Sequence, residues 1–360
     1  MLTLKNFLNA RTNYLHRWTQ AAIITVFLMA FSTMATSQVL VAEKVQGKQA
    51  SIEYELVDLH IKTLSSDEFK GRGSLSPDVR MTEDYVAKQF KAAGLKEFEQ
   101  FPGYRHEFEA ALRGRRGRGN QGNADTQTPG IMIANIVGYL EGHDPELKDE
   151  YIIYGAHHDH LGIRGEGGEG IDNIWNGAED NGTGTVAVMM LAKYFAAKND
   201  NKRSIIFMTF AAEEAGMIGS NRMVTDLPVP KEKVAALINF EMIGKPSKEG
   251  VPSAFLTGWD RSDLGPIMQE SLGEDEFKLV EGPEIAKNFF NASDNAPFAR
   301  AGIVAHTVGG ILSTSDEHYH KASDEYETIS VKNMVTVIKG TAKASRTLIS
   351  GEKTPKYIER

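Results

Sequence analysis

The 360-residue sequence contains no cysteine. Disulfide bonds, thiolate metal ligands and lipid anchors attached through cysteine are therefore all excluded. With 41% hydrophobic residues, a chain of this length can bury a sizeable core without cross-links. We expect a globular protein held together by that core alone.

Positive charge is also scarce. The chain carries 40 Lys and Arg against 48 Asp and Glu, a formal net charge of −8. Broad nucleic-acid binding needs clustered basic residues that outweigh their acidic surroundings, so we expect no nucleic-acid partner. One basic stretch differs, the Arg- and Gly-rich segment at about 113–128. Its glycines and the lack of apolar residues over 113–123 predict a flexible loop. A contact with an anionic partner and a proteolysis-prone linker are the alternatives, and we assign the segment no function.

The apolar run AAIITVFLMAFS near the N-terminus falls short of the roughly 20 residues that a transmembrane helix needs. Lys5, Arg11 and Arg17 precede this run and small residues follow it, which is the order of a secretory signal. We predict a cleaved signal peptide over 1–37, a mature chain over 38–360 without a stable membrane span, and a periplasmic or secreted location. An uncleaved anchor is the alternative, and the oligomeric state is not indicated.

Apolar runs alternate with segments of helical periodicity along the mature chain. The runs predict strands, and the periodic segments predict helices. The predicted strands lie at 131–140, 150–157, 203–212, 234–243 and 302–308, and the predicted helices lie at 51–69, 82–95 and 183–199. The second helix is expected to begin at Thr82 and to end at Gly94. Unbroken apolar strands favour a central sheet covered by helices on both faces.

Ionisable residues recur at the ends of three predicted strands and in two loops. They are His157 and Asp159, Glu213 and Glu214, Glu241, Asp180, and His318 with His320. One such residue alone is more often an ordinary solvated loop residue. In an open α/β sheet, ligands gather beyond the carboxyl ends of the strands. Five such groups at corresponding positions along the chain therefore predict a functional site.

The residue types in this set are those of a metal centre. Imidazole and carboxylate suit zinc, and a bridging carboxylate can hold two divalent cations close together. The neighbours Glu213 and Glu214 fit a division of labour in which one carboxylate binds metal and the other takes a proton from water. The short zinc-protease motif H-E-x-x-H does not occur.

Five blocks of sequence carry these residues, namely GAHHDHLG, NGAEDNGTGTVAV, FAAEEAGMIGS, NFEMIG and HYHKASDEYETI. In order and approximate spacing the blocks resemble the di-zinc exopeptidases of metallopeptidase family 28, which include bacterial aminopeptidases. The likeness extends upstream to LSSDEFKGRGS and AKQFKAAGL. It therefore covers nearly all of the mature chain.

The resemblance implies a fold and a set of roles. The fold is α/β, a single catalytic domain of the zinc-exopeptidase type with a mixed, mostly parallel central sheet flanked by helices on both faces. The implied ligands of two zinc ions are His157 and Glu241 for one, Glu214 and His320 for the other, and Asp180 for both. Glu213 is implied as general base and acid, Asp159 as the residue that orients His157, and Tyr319 as the oxyanion donor.

The chain departs from the family pattern at two positions. Glu241 stands where most members have aspartate, and its longer side chain carries the same charge. Glu179 replaces the commoner aspartate before Asp180, and we expect it to lie behind the ligands. The resemblance also implies a cis peptide bond between Asp180 and Asn181.

Other notable residues receive ordinary structural interpretations. His158 and His160 are expected to pack or hydrogen-bond beside the site, His318 to lie in a loop, and Asp294 to support loop structure. The segment GEGGEG at 165–170 matches G-x-G-x-x-G, but no predicted helix opens on it. We therefore reject dinucleotide binding.

The resemblance implies an exopeptidase that removes N-terminal residues from a peptide with a free N-terminus. The carboxylates around the site would attract the α-amino group. Alternatives on the same scaffold are a glutaminyl cyclase, which tends to have tryptophan where this chain has Tyr319, and a carboxypeptidase, which needs basic residues near the site. A receptor-like domain without metals is a further alternative.

Overall fold

The structure is a computed structural model that describes residues 50–111, 130–168, 170–246 and 252–358. The predicted signal peptide and the Arg- and Gly-rich segment lie outside the described residues. Residues from 50 onward form one compact unit. No helix among the described residues is long and apolar enough to cross a membrane.

Helices and strands alternate along most of this unit. The helices are α1 Tyr54–Leu64, α2 Val79–Ala93, α3 Thr183–Lys198, α4 Ile218–Thr225, α5 Leu264–Leu272, α6 Ala286–Phe289, α7 Asn295–Arg300, α8 Val331–Ala344 and α9 Arg346–Ile349. The strands are β1 Arg105–Ala110, β2 Ile131–Leu140, β3 Tyr151–His157, β4 Gly162–Ile163, β5 Ile174–Trp175, β6 Ser204–Phe210, β7 Val234–Glu241, β8 Ser253–Leu256, β9 Lys278–Glu281 and β10 Ala305–Gly309.

Eight of the described strands form one mixed sheet in the order β1-β2-β6-β3-β7-β10-β8-β9. The four central strands β6, β3, β7 and β10 are parallel to one another. Strands β1 and β2 pair antiparallel at one side, and β8 pairs antiparallel with β10 at the other. The carboxyl ends of the parallel strands therefore meet at one edge of the sheet.

The central strands are buried on both faces, which explains their unbroken apolar sequences. On one face, Ile153, Ile206 and Met208 pack with Met223 of α4 and Phe298 of α7. On the other face, the Tyr154 ring stacks on Phe195 of α3 and on Phe207, with ring centroids 5.8 Å apart in both pairs. Helices thus cover both faces of the sheet, as the sequence predicts.

The structure confirms the predicted strands and shifts the bounds of two helices. Helix α1 covers Tyr54–Leu64 of the predicted 51–69, and a separate 3₁₀ segment, Asp67–Arg72, follows it. Helix α2 begins at Val79, three residues before the predicted first residue Thr82. Thr82 lies fully buried inside the helix, and Asp78 occupies the position before its first turn. Gly94 ends the helix with a φ of 80°, a left-handed conformation that glycine adopts without strain.

Candidate metal centre

The polar residues predicted from strand ends meet at the carboxyl edge of the central sheet. His157 is the last residue of β3, and Glu241 is the last residue of β7. Glu213 and Glu214 follow the end of β6. Asp180 lies in the irregular turn Ala178–Gly182 before α3, and its peptide bond to Asn181 is cis, as the resemblance implies.

One group of donor atoms combines His157, Asp180 and Glu241. His157 Nε2 lies 3.4 Å from Asp180 Oδ1 and 3.2 Å from Glu241 Oε1. His157 is fully buried, and Asp180 is nearly so. Burial alone lowers the pKa of His157, but the two carboxylates raise it well above its usual value.

A second group combines His160, Asp180 and Glu214, and His320 lies beside it. His160 Nδ1 lies 3.0 Å from Glu214 Oε1, and His320 Nε2 lies 3.1 Å from both Asp180 Oδ2 and Glu214 Oε2. Burial lowers the pKa of His320, yet its hydrogen bonds to Asp180 and Glu214 raise the pKa to about 10. Asp180 therefore belongs to both donor groups.

The spacing of these atoms fits a pair of zinc ions. Ligand atoms around a tetrahedral zinc with bonds of about 2.1 Å lie roughly 3.4 Å apart. The imidazole nitrogens of the site lie 3.0 to 3.8 Å from the carboxylate oxygens beside them, and the donor atoms within each group all lie within 4.8 Å of one another. One carboxylate oxygen of Asp180, Oδ1, lies near His157, and the other, Oδ2, lies near His160 and His320. The residues present therefore suit the metal that the resemblance implies.

Glu213 belongs to neither of the two donor groups found among the described residues. Its side chain lines the cleft beside His157 and Glu241. Burial raises the pKa of Glu213 well above its usual value, opposed by His157 and reinforced by the neighbouring carboxylates. A carboxylate with a raised pKa that is not tied to metal is suited to exchanging protons near neutral pH.

Asp159 connects the two loops of the site. Its carboxylate accepts hydrogen bonds from the main-chain amides of Glu213 and Glu214 at 3.0 and 3.3 Å. The carboxylate lies 3.8 Å from His157 Nδ1, whereas the main-chain carbonyl of Asp159 lies only 3.1 Å from that nitrogen. The carbonyl therefore holds the His157 ring, and the carboxylate holds the glutamate pair.

Two supporting residues were not identified from the sequence. Arg72 is fully buried and donates to the main-chain carbonyls of His158 at 3.0 Å and Gly177 at 2.7 Å, which ties together two loops of the site. Asp324 accepts hydrogen bonds from the amides of Glu179 and Asp180 at 2.9 and 3.0 Å. Arg72 lies within the upstream block GRGS, which was the available signal, whereas Asp324 carried no signal distinct from its loop.

His160 is predicted to pack or hydrogen-bond beside the site, and its Nδ1 pairs with Glu214 Oε1 at 3.0 Å. The same nitrogen also belongs to the second donor group, a position that the sequence-based interpretation did not assign to it. His158 follows its interpretation, since its Nδ1 pairs with the Thr209 hydroxyl at 3.0 Å, away from both groups. His318 lies in a turn and pairs with the Ser323 hydroxyl.

The remaining predicted residues lie around the donors. Tyr319 lines the cleft, and its ring stacks on His320 with centroids 3.9 Å apart. Glu179 lies behind Asp180, where it accepts a hydrogen bond from the Gly244 amide at 2.9 Å. Asp294 is buried before α7, and burial raises its pKa to about 7.

A cleft of about 630 Å³ opens above the donors. Its floor carries His157, Asp180, Glu213, Glu214 and Glu241, and its walls include Met242, Phe255, Phe289, Ala292, Ile311 and Leu312. The cleft thus joins an acidic floor to apolar walls. Such a site is suited to a ligand with a cationic group close to an apolar side chain.

The fold and the two donor groups define an α/β protein with a candidate metal centre at the carboxyl edge of a mixed sheet. The sequence profile of peptidase family M28 matches residues 135–345. Because this match covers more than half of the chain, the protein belongs to peptidase family M28. The family indicated by the five sequence blocks is therefore confirmed.

Curated relatives are similar over part of their length. Leupeptin-inactivating enzyme 1 of Streptomyces exfoliatus is 33% identical over 153 residues, 41% of this chain and 32% of the relative. Aminopeptidase YwaD of Bacillus subtilis is 29% identical over 194 residues, 51% of this chain and 40% of the relative. The aligned region thus spans less than half the length of these relatives.

Solved structures share the fold. The structure of BSAP, a zinc aminopeptidase from Bacillus subtilis, superposes with a TM-score of 0.61 at 16% identity, covering 85% of this chain and 98% of that one. A glutaminyl cyclase from Fimbriiglobus ruber superposes with a TM-score of 0.58 at 18% identity, covering 81% and 94%. The fold is therefore shared by proteins named for two different reactions.

Proposed function

We propose that the protein is a zinc-dependent aminopeptidase that hydrolyses the first peptide bond of peptides with a free N-terminus. The observation that carries the proposal is the pair of donor groups that share Asp180 at the carboxyl edge of the sheet. Membership of peptidase family M28 and the printed names of relatives such as aminopeptidase YwaD support it. The five ligands are those implied by the resemblance, and Glu241 serves in place of the usual aspartate.

When bound, two zinc ions supply Lewis acidity, which lowers the pKa of water toward about 7 and polarises a carbonyl. Glu213 takes the proton of the attacking water and returns it to the leaving amine. The Asp159 carboxylate accepts hydrogen bonds from the main-chain amides of Glu213 and Glu214, which fixes the positions of these two neighbouring glutamates. Tyr319 donates its hydroxyl to the oxygen that becomes negative as the peptide bond is attacked.

The acidic floor of the cleft favours a free N-terminus. With zinc bound, the ions offset the charges of Asp180, Glu214 and Glu241, so Glu213 is the carboxylate that attracts a protonated α-amino group. An acylated N-terminus or an internal peptide bond offers no such charge. The apolar walls around Phe255 and Met242 favour an apolar first side chain. We therefore expect leucine-like residues to be released faster than acidic ones.

The main alternative is glutaminyl cyclisation on the same fold. Tyr319 counts against a cyclase, because cyclases tend to have tryptophan at this position. A carboxypeptidase is disfavoured because no Lys or Arg is among the described residues that line the cleft. Both alternatives predict products that differ from those of an aminopeptidase.

A substrate panel tests the proposal. Leucyl, aspartyl and N-acetyl-leucyl chromogenic amides and a peptide with N-terminal glutamine are incubated with the purified chain, with and without chelator. We expect rapid release from the leucyl amide only, abolished by chelator and restored by zinc. Equal cleavage of the acetylated substrate, or conversion of the glutaminyl peptide to pyroglutamate as the main product, would contradict the proposal.

Export remains a separate proposal, based on the N-terminal charged and apolar segments. Expression of the full chain in a bacterium, followed by N-terminal sequencing of the periplasmic fraction, tests it. We expect cleavage at about residue 37. A full-length product confined to the cytoplasm would contradict export without affecting the proposed reaction.

A further inference from the structure

The second donor group contains one histidine more than the resemblance assigns to it. His160 Nδ1 lies 3.0 Å from Glu214 Oε1 and 3.8 Å from Asp180 Oδ2. His320 Nε2 approaches the same two carboxylates at 3.1 Å. Both imidazole nitrogens therefore lie near the same two carboxylates, whereas the first group has one imidazole and two carboxylates.

The His160 ring is held in this orientation by its surroundings. The ring is fully buried, and its main-chain amide donates to the Arg72 carbonyl at 3.0 Å. Gly177 has a φ of 59°, and a Cβ on this residue would lie 2.4 Å from Cγ and Cδ2 of the ring. The missing Cβ thus leaves the space that the imidazole occupies. A side chain fixed so closely keeps its nitrogen directed at Glu214.

We propose that His160 is a fourth protein ligand of the metal held by Asp180, Glu214 and His320. This inference rests on the proposed metal centre and adds to it a ligand outside the implied set. The four imidazole-to-carboxylate distances, 3.0 to 3.8 Å, are close to the roughly 3.4 Å expected between ligand atoms of a tetrahedral zinc. The alternative is that His160 only donates a hydrogen bond to Glu214.

The two metal positions consequently differ in kind. The position with four protein ligands must expand to five-coordinate to act on water or substrate, whereas three protein ligands leave one coordination position open. We expect the position with His160 to bind zinc first and more tightly. The position with His157 and Glu241 fills second and exchanges more easily.

X-ray absorption spectroscopy at the zinc edge counts the imidazoles directly. With one equivalent of zinc added to the metal-stripped wild-type chain, we expect two imidazole ligands per zinc. With two equivalents the average falls to about one and a half, because the second position has a single imidazole. An average of one imidazole per zinc at two equivalents would overturn the proposal.

A pair of variants separates coordination from hydrogen bonding. The amide of His160→Asn retains an N–H near the former Nδ1 but is a poor zinc ligand, and His158→Asn is the matched control at a buried neighbour outside both groups. Calorimetric titration of His160→Asn should show at least a 100-fold loss of affinity in the tight phase, beyond the roughly 10- to 100-fold effect of outer-shell partners. His158→Asn should bind zinc as the wild type does.

The outcomes distinguish this inference from the proposed function. A wild-type chain that binds no zinc contradicts the metal centre itself. A wild-type chain that binds two zinc ions, together with unchanged affinity in His160→Asn, overturns only the role of His160. If His160→Asn fails to fold, as judged by circular dichroism, the imidazole count of the wild-type protein decides the question.

Discussion

His157 and His158 are adjacent and both fully buried, yet they lie in opposite environments. His157 faces Asp180 and Glu241, whose carboxylates raise its pKa well above its usual value against the effect of burial. His158 pairs with the Thr209 hydroxyl, and burial together with His157 lowers its pKa to about 3. The residue type is the same, so the side of the strand end on which each ring lies decides between ligand and core residue.

Glu213 and Glu214 repeat this contrast, and they give the largest expected effect. Glu213→Gln keeps the size of the side chain but removes the basic carboxylate, so zinc should stay bound while turnover falls about 10,000-fold, the upper end for general-base assistance. Glu214→Gln should lose zinc together with activity, because a charged ligand is removed. Zinc content and turnover of each variant are measured against wild type. Near-normal turnover of Glu213→Gln, or equal zinc loss in both variants, would reverse or remove the assignment.

Replacing each of the paired histidines tests the opening contrast itself. His157→Asn should lower zinc binding to about one ion per chain and weaken the second phase more than 100-fold, since it removes the only imidazole of that group. His158→Asn should retain both ions and lose stability only. Elemental analysis and calorimetric titration measure the first effect, and thermal unfolding measures the second. Equal zinc loss in both variants would contradict the distinction.

The free energy of unfolding at acid pH tests the contrast between buried core histidines such as His60 and the histidines of the metal centre. Burial, with a smaller effect of Lys193, lowers the pKa of His60 to about 4, so the folded chain keeps this ring neutral while the unfolded chain protonates it below about pH 6.5. Stability is therefore present above pH 6.5 and is lost as the pH falls toward 4, by about 3 kcal/mol for this residue.

Urea unfolding at pH 7, 6 and 5 measures this loss. The control is His60→Asn, which removes the titrating ring while leaving a polar group near the Tyr85 hydroxyl. The wild-type free energy of unfolding should fall more steeply with decreasing pH than that of the variant. Parallel curves would contradict the account of His60.

The smallest expected effect concerns the apolar walls of the cleft. A Cβ at Gly309 would lie 2.5 Å from Cζ of Phe255, so Gly309→Ala should displace this ring from the wall. We expect KM for a leucyl substrate to rise severalfold, on the order of 1 kcal/mol, with a smaller change in kcat. Steady-state kinetics with leucyl and alanyl amides measure the effect. A fall in kcat with unchanged KM would show that Phe255 acts elsewhere.

The strands were predictable from the sequence because burial on both faces leaves unbroken apolar runs, as in β2 and β6. The start of α2 was not predictable from the sequence. Thr82 is of a residue type that often caps the N-terminus of a helix, but here it is buried within the helix. Propensity describes a local preference, and packing against the sheet overrides it.

The donor residues were identifiable because they follow strand ends within recognisable blocks. Their contacts were not, because a side chain in a loop after a strand has no fixed periodicity. His160 lies 54 residues from Glu214, and Arg72 lies 105 residues from Gly177. Only the assembled sheet brings such residues together.

The most direct test of the central claim is a zinc titration of the metal-stripped chain, with bound zinc per chain measured by native mass spectrometry and leucyl amide hydrolysis measured on the same samples. The account predicts two bound ions per chain, no hydrolysis without metal, and full activity only as the second ion binds. Full activity in the metal-stripped chain, or a fully zinc-loaded chain that binds no more than one ion, would contradict it.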